Sequence, residues 1–190
     1  MFRHDSQKRV QFHRMAENLE VRFMKGLQVD LPYPSTEGLG EDVRSVRIIS
    51  PAYADRGSEM TAVLQYVFQS VVFGGLEMKK YSDTLLSIAI AEMEHLEILG
   101  TILYEMGALP VFTSRPPYKF DFYSTRAVSY SSDPTQMLLD DIRGEMEAIR
   151  TYEEMTRKLQ NKQVTEIIKR IILDEQLHLE TLKELLEGLS

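Results

Sequence analysis

The spacing of apolar and polar residues along the chain predicts a protein built almost entirely from helices. From about residue 7 to residue 28, apolar side chains recur at the helical period and predict an amphipathic N-terminal helix. The LPYP sequence that follows ends this helix, because proline cannot continue a helical backbone. Residues 35–50 show no clear period, and the segment SVRIIS within them stays unassigned. We therefore treat residues 1–50 as an N-terminal helix and arm, and residues 51–190 as a separate bundle domain.

Four longer helical patterns follow in residues 51–190. They are predicted to run from about Asp55 to Phe73, Ser82 to Met106, Asp133 to Leu159 and Lys162 to Glu187. Glycines stand where three of them end, at Gly74, Gly107 and Gly188. The third pattern opens with Asp133 as a capping residue and a proline at the first helical position, and Gln136 gives a capping-box-like signature.

The lengths of the connections predict how these four helices are arranged. Only a few residues join the first helix to the second and the third to the fourth, so each pair forms an antiparallel hairpin. Residues 108–134, rich in proline and aromatic side chains, join the second helix to the third. A helix of about 25 residues is roughly 37 Å long, and a connection of this size can cross that distance. The expected fold is all-α, with two hairpins joined by a long crossover into a four-helix bundle.

The second and fourth helices carry a motif that interrupts their apolar faces. In AEMEHLEILG, Glu92 and His95 are three residues apart, a spacing that puts both side chains on one helix face. The fourth helix repeats the motif in LDEQLHLETL, with Glu175 and His178. Both pairs share their faces with apolar residues and are therefore expected to point inward: Leu85, Ile88, Leu99 and Ile102 for the first pair, and Ile168, Ile171 and Leu182 for the second.

The first and third helices each add one glutamate to this pattern. Glu59 precedes Glu92 by 33 residues, and Glu145 precedes Glu175 by 30. Both glutamates also share their helix faces with apolar and aromatic residues. Each hairpin therefore offers a single glutamate on its first helix and Glu-x-x-His on its second, which indicates an internal duplication.

Four inward-facing carboxylates need compensation, because an unpaired buried charge costs several kcal/mol or more. No lysine or arginine lies on these stripes near the glutamates. Two divalent cations would balance the four carboxylates, and neutral imidazoles would complete the coordination. This donor set suits iron or manganese and tolerates zinc or cobalt, so we predict two metal ions per chain. The alternative is that both histidines lie at the edge of an ordinary core and the glutamates are solvated.

Three further residues could support these ligands through hydrogen bonds. Tyr66 lies two turns after Glu59 and could bond to a ligand, or could be a plain core tyrosine. Asp141 could orient a histidine, or could be a surface aspartate near a helix start. Tyr152 lies on the same stripe as Glu145 and is assigned the same supporting role. Glu94, Glu97 and Glu147 are interpreted as solvated helix charges, and His4 and His13 in the N-terminal segment as plain polar residues.

Composition narrows the set of functions. The formal net charge of −7 argues against nucleic acid and anionic membrane surfaces as partners. The chain contains no cysteine, which excludes disulfides, thiol nucleophiles and cysteine-ligated zinc or iron. There is no apolar N-terminal run and no window of 18 apolar residues, so neither a secretory signal nor a membrane span is expected. We expect a cytoplasmic protein.

The four helices resemble those of the ferritin-like di-metal carboxylate superfamily, which contains rubrerythrins, bacterioferritins and manganese catalases. GSEMTAVLQYVFQS and IAIAEMEHLEILG resemble the first two metal helices of manganese catalases and related spore-coat proteins. DDIRGEMEAIRTYEEM and IILDEQLHLETL look like the last two helices of rubrerythrin-like and bacterioferritin-like chains. The cysteine-ligated iron domain usual in rubrerythrins is absent. The resemblance implies six metal ligands: Glu59, Glu92, His95, Glu145, Glu175 and His178.

The same resemblance implies that Glu59 and Glu175 are terminal ligands and that Glu92 and Glu145 bridge the two metals. It further implies an oxidoreductase that acts on hydrogen peroxide or dioxygen. A chain without cysteine has no built-in thiolate electron relay, which favours a cycle in which peroxide is both oxidant and reductant. The alternatives are an iron-oxidising storage protein and a structural protein of a spore coat with a metal site. In each case we expect a homo-oligomer, a dimer or larger.

Overall fold

The computed structural model describes residues 25–113 and 120–189. The helices in these ranges are α1 (Val43–Ala54), α2 (Glu59–Gly75), α3 (Lys79–Glu105), α4 (Pro134–Lys158) and α5 (Lys162–Glu187), with a 3₁₀ turn at Thr125–Ala127. In this part of the chain, every helix is too short or too polar to traverse a lipid bilayer.

Helices α2 to α5 form the predicted four-helix bundle. Three-residue connections join α2 to α3 and α4 to α5, and these two hairpins make the most extensive helix contacts in the molecule. The crossover between α3 and α4 carries the chain from one hairpin to the other. The all-α fold with a long crossover is therefore confirmed. Helix α2 begins at Glu59 rather than Asp55, and α3 begins at Lys79 rather than Ser82.

Helix α4 begins where its capping sequence predicts. The Asp133 carboxylate accepts a 2.8 Å hydrogen bond from the Gln136 backbone N–H, and Pro134 occupies the first helical position. The Gln136 side chain donates to Asp140 at 2.8 Å instead of returning to the cap. Only half of the capping box therefore forms, although the helix boundary is where the sequence predicts it.

Helix α1 was not assigned from the sequence. Asp42 caps it by accepting 3.0 Å hydrogen bonds from the backbone N–H groups of Arg44 and Ser45. Its buried face mixes apolar and hydroxyl side chains, and Pro51 lies inside it, so the helical period is obscured. Helix α1 packs on α3 and runs across the boundary that we expected at residue 50.

The predicted N-terminal helix lies mostly outside the described residues. Its described end, residues 25–28, is not helical, so the helix does not reach residue 28. Residues 25–33, which we call the arm, lie against α3 and α5. The Leu27 N–H donates to the Ser87 carbonyl at 3.0 Å, and the Arg170 guanidinium donates to the Leu31 carbonyl at 2.8 Å.

The bundle core consists of two apolar clusters. The first is formed largely by α1 and by the halves of α3 and α5 that hold Leu99, Ile102, Ile167 and Ile171. The second includes Phe73, Leu85, Ile88, Leu138 and Leu182. On α3, α4 and α5, the buried polar residues lie between these two clusters along the helix. The molecule therefore holds a polar layer inside an apolar core.

Candidate metal centre

Six side chains meet in the polar layer, and none of them is more than 4% exposed. Their donor atoms form two groups, in each of which all atoms lie within 4.8 Å of one another. The first group contains Glu59, Glu92, His95 and Glu175, and the second contains Glu92, Glu145, Glu175 and His178. All six residues predicted from the sequence thus come together, contributed by four different helices.

The two groups share Glu92 and Glu175, whereas Glu59 and Glu145 each belong to one group only. The expected bridging ligands were Glu92 and Glu145, but the residue that joins Glu92 in both donor groups is Glu175. The two Glu-x-x-His helices, α3 and α5, supply the shared carboxylates, and α2 and α4 supply the outer ones. The physical reason is the duplication itself, because equivalent residues of the two hairpins take equivalent places.

Each imidazole presents Nδ1 to the carboxylates. The Nδ1 atom of His95 lies 3.0 Å from Glu92 Oε2, 3.1 Å from Glu175 Oε1 and 3.8 Å from Glu59 Oε2. The Nδ1 atom of His178 lies 3.0 Å from Glu92 Oε1, 3.6 Å from Glu175 Oε2 and 3.9 Å from Glu145 Oε1. Each shared glutamate therefore turns one oxygen towards each histidine.

Two tyrosines brace the outer glutamates across the bundle. The Tyr66 hydroxyl on α2 donates a hydrogen bond to Glu145 on α4. The Tyr152 hydroxyl on α4 donates to Glu59 on α2. Each tyrosine follows the glutamate of its own helix by seven residues and reaches the glutamate of the other helix. The duplication seen in the sequence therefore extends to the groups that hold the outer carboxylates in place.

The outward-facing nitrogen of His95 is held by a buried carboxylate that the sequence analysis missed. Asp174 Oδ2 lies 3.2 Å from His95 Nε2. Asp174 also accepts from the Val29 N–H at 2.7 Å and from the Tyr33 hydroxyl, and its Oδ1 is 2.7 Å from Arg170 Nη1. Although burial opposes the charged form, His95, Tyr33 and Arg170 hold the pKa of Asp174 below its ordinary value.

The outward-facing nitrogen of His178 has a different partner, the backbone carbonyl of Leu27, at 2.8 Å. A carbonyl oxygen can only accept, so Nε2 carries a proton, and whenever the ring is neutral its Nδ1 lone pair faces inward. The carboxylate of Asp174 favours the same tautomer in His95. Both rings are thus fixed with Nδ1 directed at the glutamates.

The structure contradicts the prediction that Asp141 orients a histidine. Its Oδ1 accepts hydrogen bonds from Gln65 Nε2 at 2.8 Å and Gln69 Nε2 at 2.9 Å, and Asp174 takes the predicted role. The signal that could have identified Asp174 is its spacing from Arg170, one turn earlier on the buried face of α5. The expectation that this face carries no arginine near the glutamates is therefore wrong for Arg170. The Leu27 carbonyl leaves no signal, because any residue provides a carbonyl.

The glutamates differ in how readily they give up their protons. Burial, followed by the charges of Glu92 and Glu175, raises the pKa of Glu59 well above its ordinary value. Burial likewise raises the pKa of Glu145, with Glu175 and Glu92 adding to the effect. Burial opposes the charge of Glu92 as well, yet the adjacent His178 holds the pKa of Glu92 well below its usual range. The outer carboxylates thus favour the protonated form, and Glu92 favours the charged form.

The pKa values of both histidines are raised, and for a histidine this favours the charged form. Burial alone would lower the pKa of His95, but hydrogen bonds to Asp174 and the glutamates raise it well above its ordinary value. Burial also opposes the charged form of His178, and the charge of Glu92 leads the effects that raise the pKa of His178 to about 10. Protons thus compensate the carboxylates where no cation does so.

Several metal-donor atoms of the site lack hydrogen-bond partners among the described residues. Whether cations fit the site can be judged from these atoms. Glu92 Oε1, Glu175 Oε1 and His178 Nδ1 are buried without a partner of acceptable geometry. His178 Nδ1 and Glu92 Oε1 are nonetheless only 3.0 Å apart. A buried polar atom without a partner costs about 1–3 kcal/mol, whereas a cation between these atoms would satisfy several of them together. Mixed carboxylate and imidazole donors suit first-row divalent metals, so the residues fit such ions.

A cavity of about 370 Å³ reaches the six-residue layer between α2 and α4. Glu59, Glu145 and the shared glutamates line its inner part. Small side chains, including Ala62, Gly144 and Ala148, leave room along its walls. The exposed side chains of Arg143 and Glu147 also line it, so it opens to solvent. The opposite side, between α3 and α5, is covered by the arm.

Comparisons with known proteins agree with this fold. Two solved structures of KatB, a manganese catalase, one from Anabaena and one from Anabaena PCC7120, match with TM-scores of 0.70 and 0.68. In both comparisons the sequence identity is 20%, and the match covers 85% of this chain and 76% of the other. No curated protein is significantly similar in sequence. The family model described as a ferritin-like domain matches residues 55–190, and the chain therefore belongs to the ferritin-like family.

Proposed function

We propose that the protein is a di-metal oxidoreductase that decomposes hydrogen peroxide. The observation that carries the proposal is the pair of donor groups that share Glu92 and Glu175 at the inner end of an open cavity. The likeness to structures of manganese catalases supports peroxide as the substrate. Dioxygen is the alternative substrate for the same centre.

In this proposal six residues bind two cations, either manganese or iron. Glu59 and His95 would hold one ion, Glu145 and His178 would hold the other, and Glu92 and Glu175 would be available to both. When bound, the metal pair supplies two-electron redox chemistry, so that one peroxide is reduced to water and a second is oxidised to dioxygen. This cycle needs no external electron donor, which suits a chain that has no cysteine to relay electrons.

The protein's own residues determine access and proton position. The cavity admits small molecules from the side of α2 and α4. The hydroxyls of Tyr66 and Tyr152 hold the outer glutamates and limit their rotation. Asp141 lines the same cavity, and burial raises the pKa of Asp141 to about 7. It can therefore accept or release a proton near neutral pH on the side from which peroxide enters.

The direct test is to reconstitute metal-free protein with Mn(II) or with Fe(II) and to follow oxygen release from hydrogen peroxide. We expect turnover with at least one metal, with one dioxygen formed for every two peroxides consumed. Glu175→Gln should lose metal and activity together, whereas Glu147→Gln, at the exposed part of the cavity wall, should retain both. Stoichiometric metal binding without peroxide turnover for either metal would contradict the catalase assignment.

The same samples distinguish the proposed peroxide-decomposing enzyme from the iron-oxidising alternative. A ferroxidase would consume dioxygen when Fe(II) is added and would release none from peroxide. A storage protein would also retain many irons per chain in a large multi-subunit shell, which light scattering would detect. A purely structural site would stabilise the fold and show neither reaction.

A further inference from the structure

The arm contacts the metal centre directly, from the side opposite the cavity. The Leu27 carbonyl accepts the hydrogen bond of His178 Nε2 at 2.8 Å. His178 itself is completely buried. The acceptor that fixes the tautomer of this histidine therefore comes from a segment about 150 residues away in the chain, not from the bundle.

The arm also supports the second histidine, through Asp174. The Asp174 carboxylate, 3.2 Å from His95 Nε2, accepts from the Val29 N–H at 2.7 Å and from the Tyr33 hydroxyl. Two of the donors that hold this carboxylate are thus arm residues. Both imidazoles therefore depend on the arm for the position of their outward-facing nitrogen.

Bonds on both edges keep the arm in this position. On the α3 side, Ser87 accepts from the Leu27 N–H at 3.0 Å, and its hydroxyl donates to the Lys25 carbonyl at 2.6 Å. On the α5 side, Arg170 donates to the Val29 carbonyl at 2.6 Å and lies 4.5 Å from the centre of the Tyr33 ring. These bonds fix the position of the arm between α3 and α5.

The duplication explains why the arm is needed. Asp174 directly precedes Glu175 on α5, and the equivalent residue directly before Glu92 on α3 is Ala91. Ala91 offers no carboxylate to His178. Gly26 packs at this place, where an added Cβ would lie 3.1 Å from the Ala91 nitrogen and 3.2 Å from its Cα. The arm backbone thus occupies the space of the missing side chain and supplies the missing acceptor.

We infer that the arm is a positioning segment of the metal centre, and that arm docking and metal binding stabilise each other. The inference rests on the proposed metal site. A cation bound at Nδ1 fixes each ring in the orientation in which Nε2 meets Leu27 or Asp174, so metal binding and these contacts favour each other. By thermodynamic reciprocity the docked arm must then raise metal affinity by the same factor.

The first test uses the unmodified protein and hydrogen exchange. The amides of Leu27 and Val29 donate within the docked arm, so their exchange by local opening reports undocking. We expect Mn(II) to slow exchange at both amides by about 10-fold or more, with little change in the α2–α3 turn at Glu77, whose N–H is also bonded. Metal binding with equal effects on the arm and the turn would overturn the inference.

The second test moves the arm without touching a ligand. Gly26→Val introduces a side chain against the backbone of Ala91 and should weaken Mn(II) binding by about 10–100-fold, the usual effect of losing a partner behind a metal-binding histidine. The matched control is Gly75→Val, since nothing lies within 4 Å of a Cβ at that glycine. Circular dichroism of the metal-free variants verifies that both fold.

The outcomes separate this inference from the proposed function. If the unmodified protein binds neither manganese nor iron, the metal centre itself is wrong. If it binds metal and Gly26→Val binds as tightly as Gly75→Val, the arm has no positioning role, and the proposed function stands. The Co(II) absorption spectrum gives an independent readout, because an altered imidazole orientation changes the ligand field, whereas a loss of global stability alone does not.

Discussion

At the scale of single residues, the hydroxyl groups of Tyr66 and Tyr152 can be removed one at a time to test whether they hold the outer glutamates in place. Tyr66→Phe and Tyr152→Phe keep the ring and delete the donor to Glu145 or Glu59. We expect each variant to bind Mn(II) about 10–100-fold more weakly, because an outer carboxylate is left free to rotate. Titration followed by electron paramagnetic resonance measures this loss, and Tyr104→Phe, at an exposed position, is the matched control. Unchanged affinity in both variants would mean that the tyrosines serve the core only.

A second residue-scale prediction concerns pH. His178, with its pKa raised to about 10, holds a proton at neutral pH in the metal-free protein, and burial shifts the pKa values of the outer glutamates towards protonation as well. A cation must displace these protons, so metal affinity should rise as pH increases from 6 to 8. Each proton released contributes up to about a tenfold gain in affinity per pH unit. Calorimetry in buffers of different ionisation enthalpy counts the protons, and no net release would contradict this account of the site.

At the scale of elements, the gap between α2 and α4 carries the access route to the centre. Ala148 lines the cavity on α4, whereas Met146, two residues earlier, is exposed and does not line it. Ala148→Phe should narrow the route and lower the rate of peroxide decomposition by about tenfold without a change in metal content. Met146→Phe is the control. If both variants react at the rate of the unmodified protein, substrate enters elsewhere.

The elements also show which parts of the fold can be read from sequence. Helices α4 and α5 were predicted to within a residue, because a capping residue, a proline or a terminal glycine marks their ends. Helix α1 was missed, because its buried face includes Ser45 and Ser50 and its interior includes a proline. The arm was misassigned at its described end, because docking on α3 and α5 overrides the helical period of residues 25–28.

The same contrast applies to the candidate site. Six polar residues that interrupt apolar stripes are visible as a pattern, and the structure brings all of them together. The membership of Glu175 rather than Glu145 in both donor groups was not visible, because it depends on how the two hairpins face each other. Asp174 and the Leu27 carbonyl were not found, since their importance arises only when the arm meets α5.

At the scale of the whole molecule, bound metal should contribute to the stability of the fold. A ligand at about 100 times its Kd stabilises the native state by about 2.7 kcal/mol, which corresponds to a rise in Tm of roughly 5–10 °C for a chain of this size. Removal of metal by a chelator should lower the Tm accordingly, as calorimetry can measure. Glu92→Gln should show no such difference, because it lacks one of the shared carboxylates.

This difference in Tm should widen as pH rises. The raised pKa of His178 means that its protonated form stabilises the metal-free fold fully below about pH 6.5, and that this contribution is lost as pH approaches about 10. The metal-loaded form does not depend on that proton. Scans at pH 6.5 and pH 9 with and without chelator measure the gap, and a gap that narrows towards pH 9 would contradict the linkage.

The unequal partners of the two histidines have a further consequence. An anion supports His95 and a neutral carbonyl supports His178, so in the proposed centre the first imidazole should be the more basic ligand and its half should hold a cation more tightly. We therefore expect ordered filling, in which a chain given a single equivalent of metal becomes a defined hemi-loaded species with its ion beside Glu59. Two different metals supplied in turn would come to rest at separate, predictable places within one molecule.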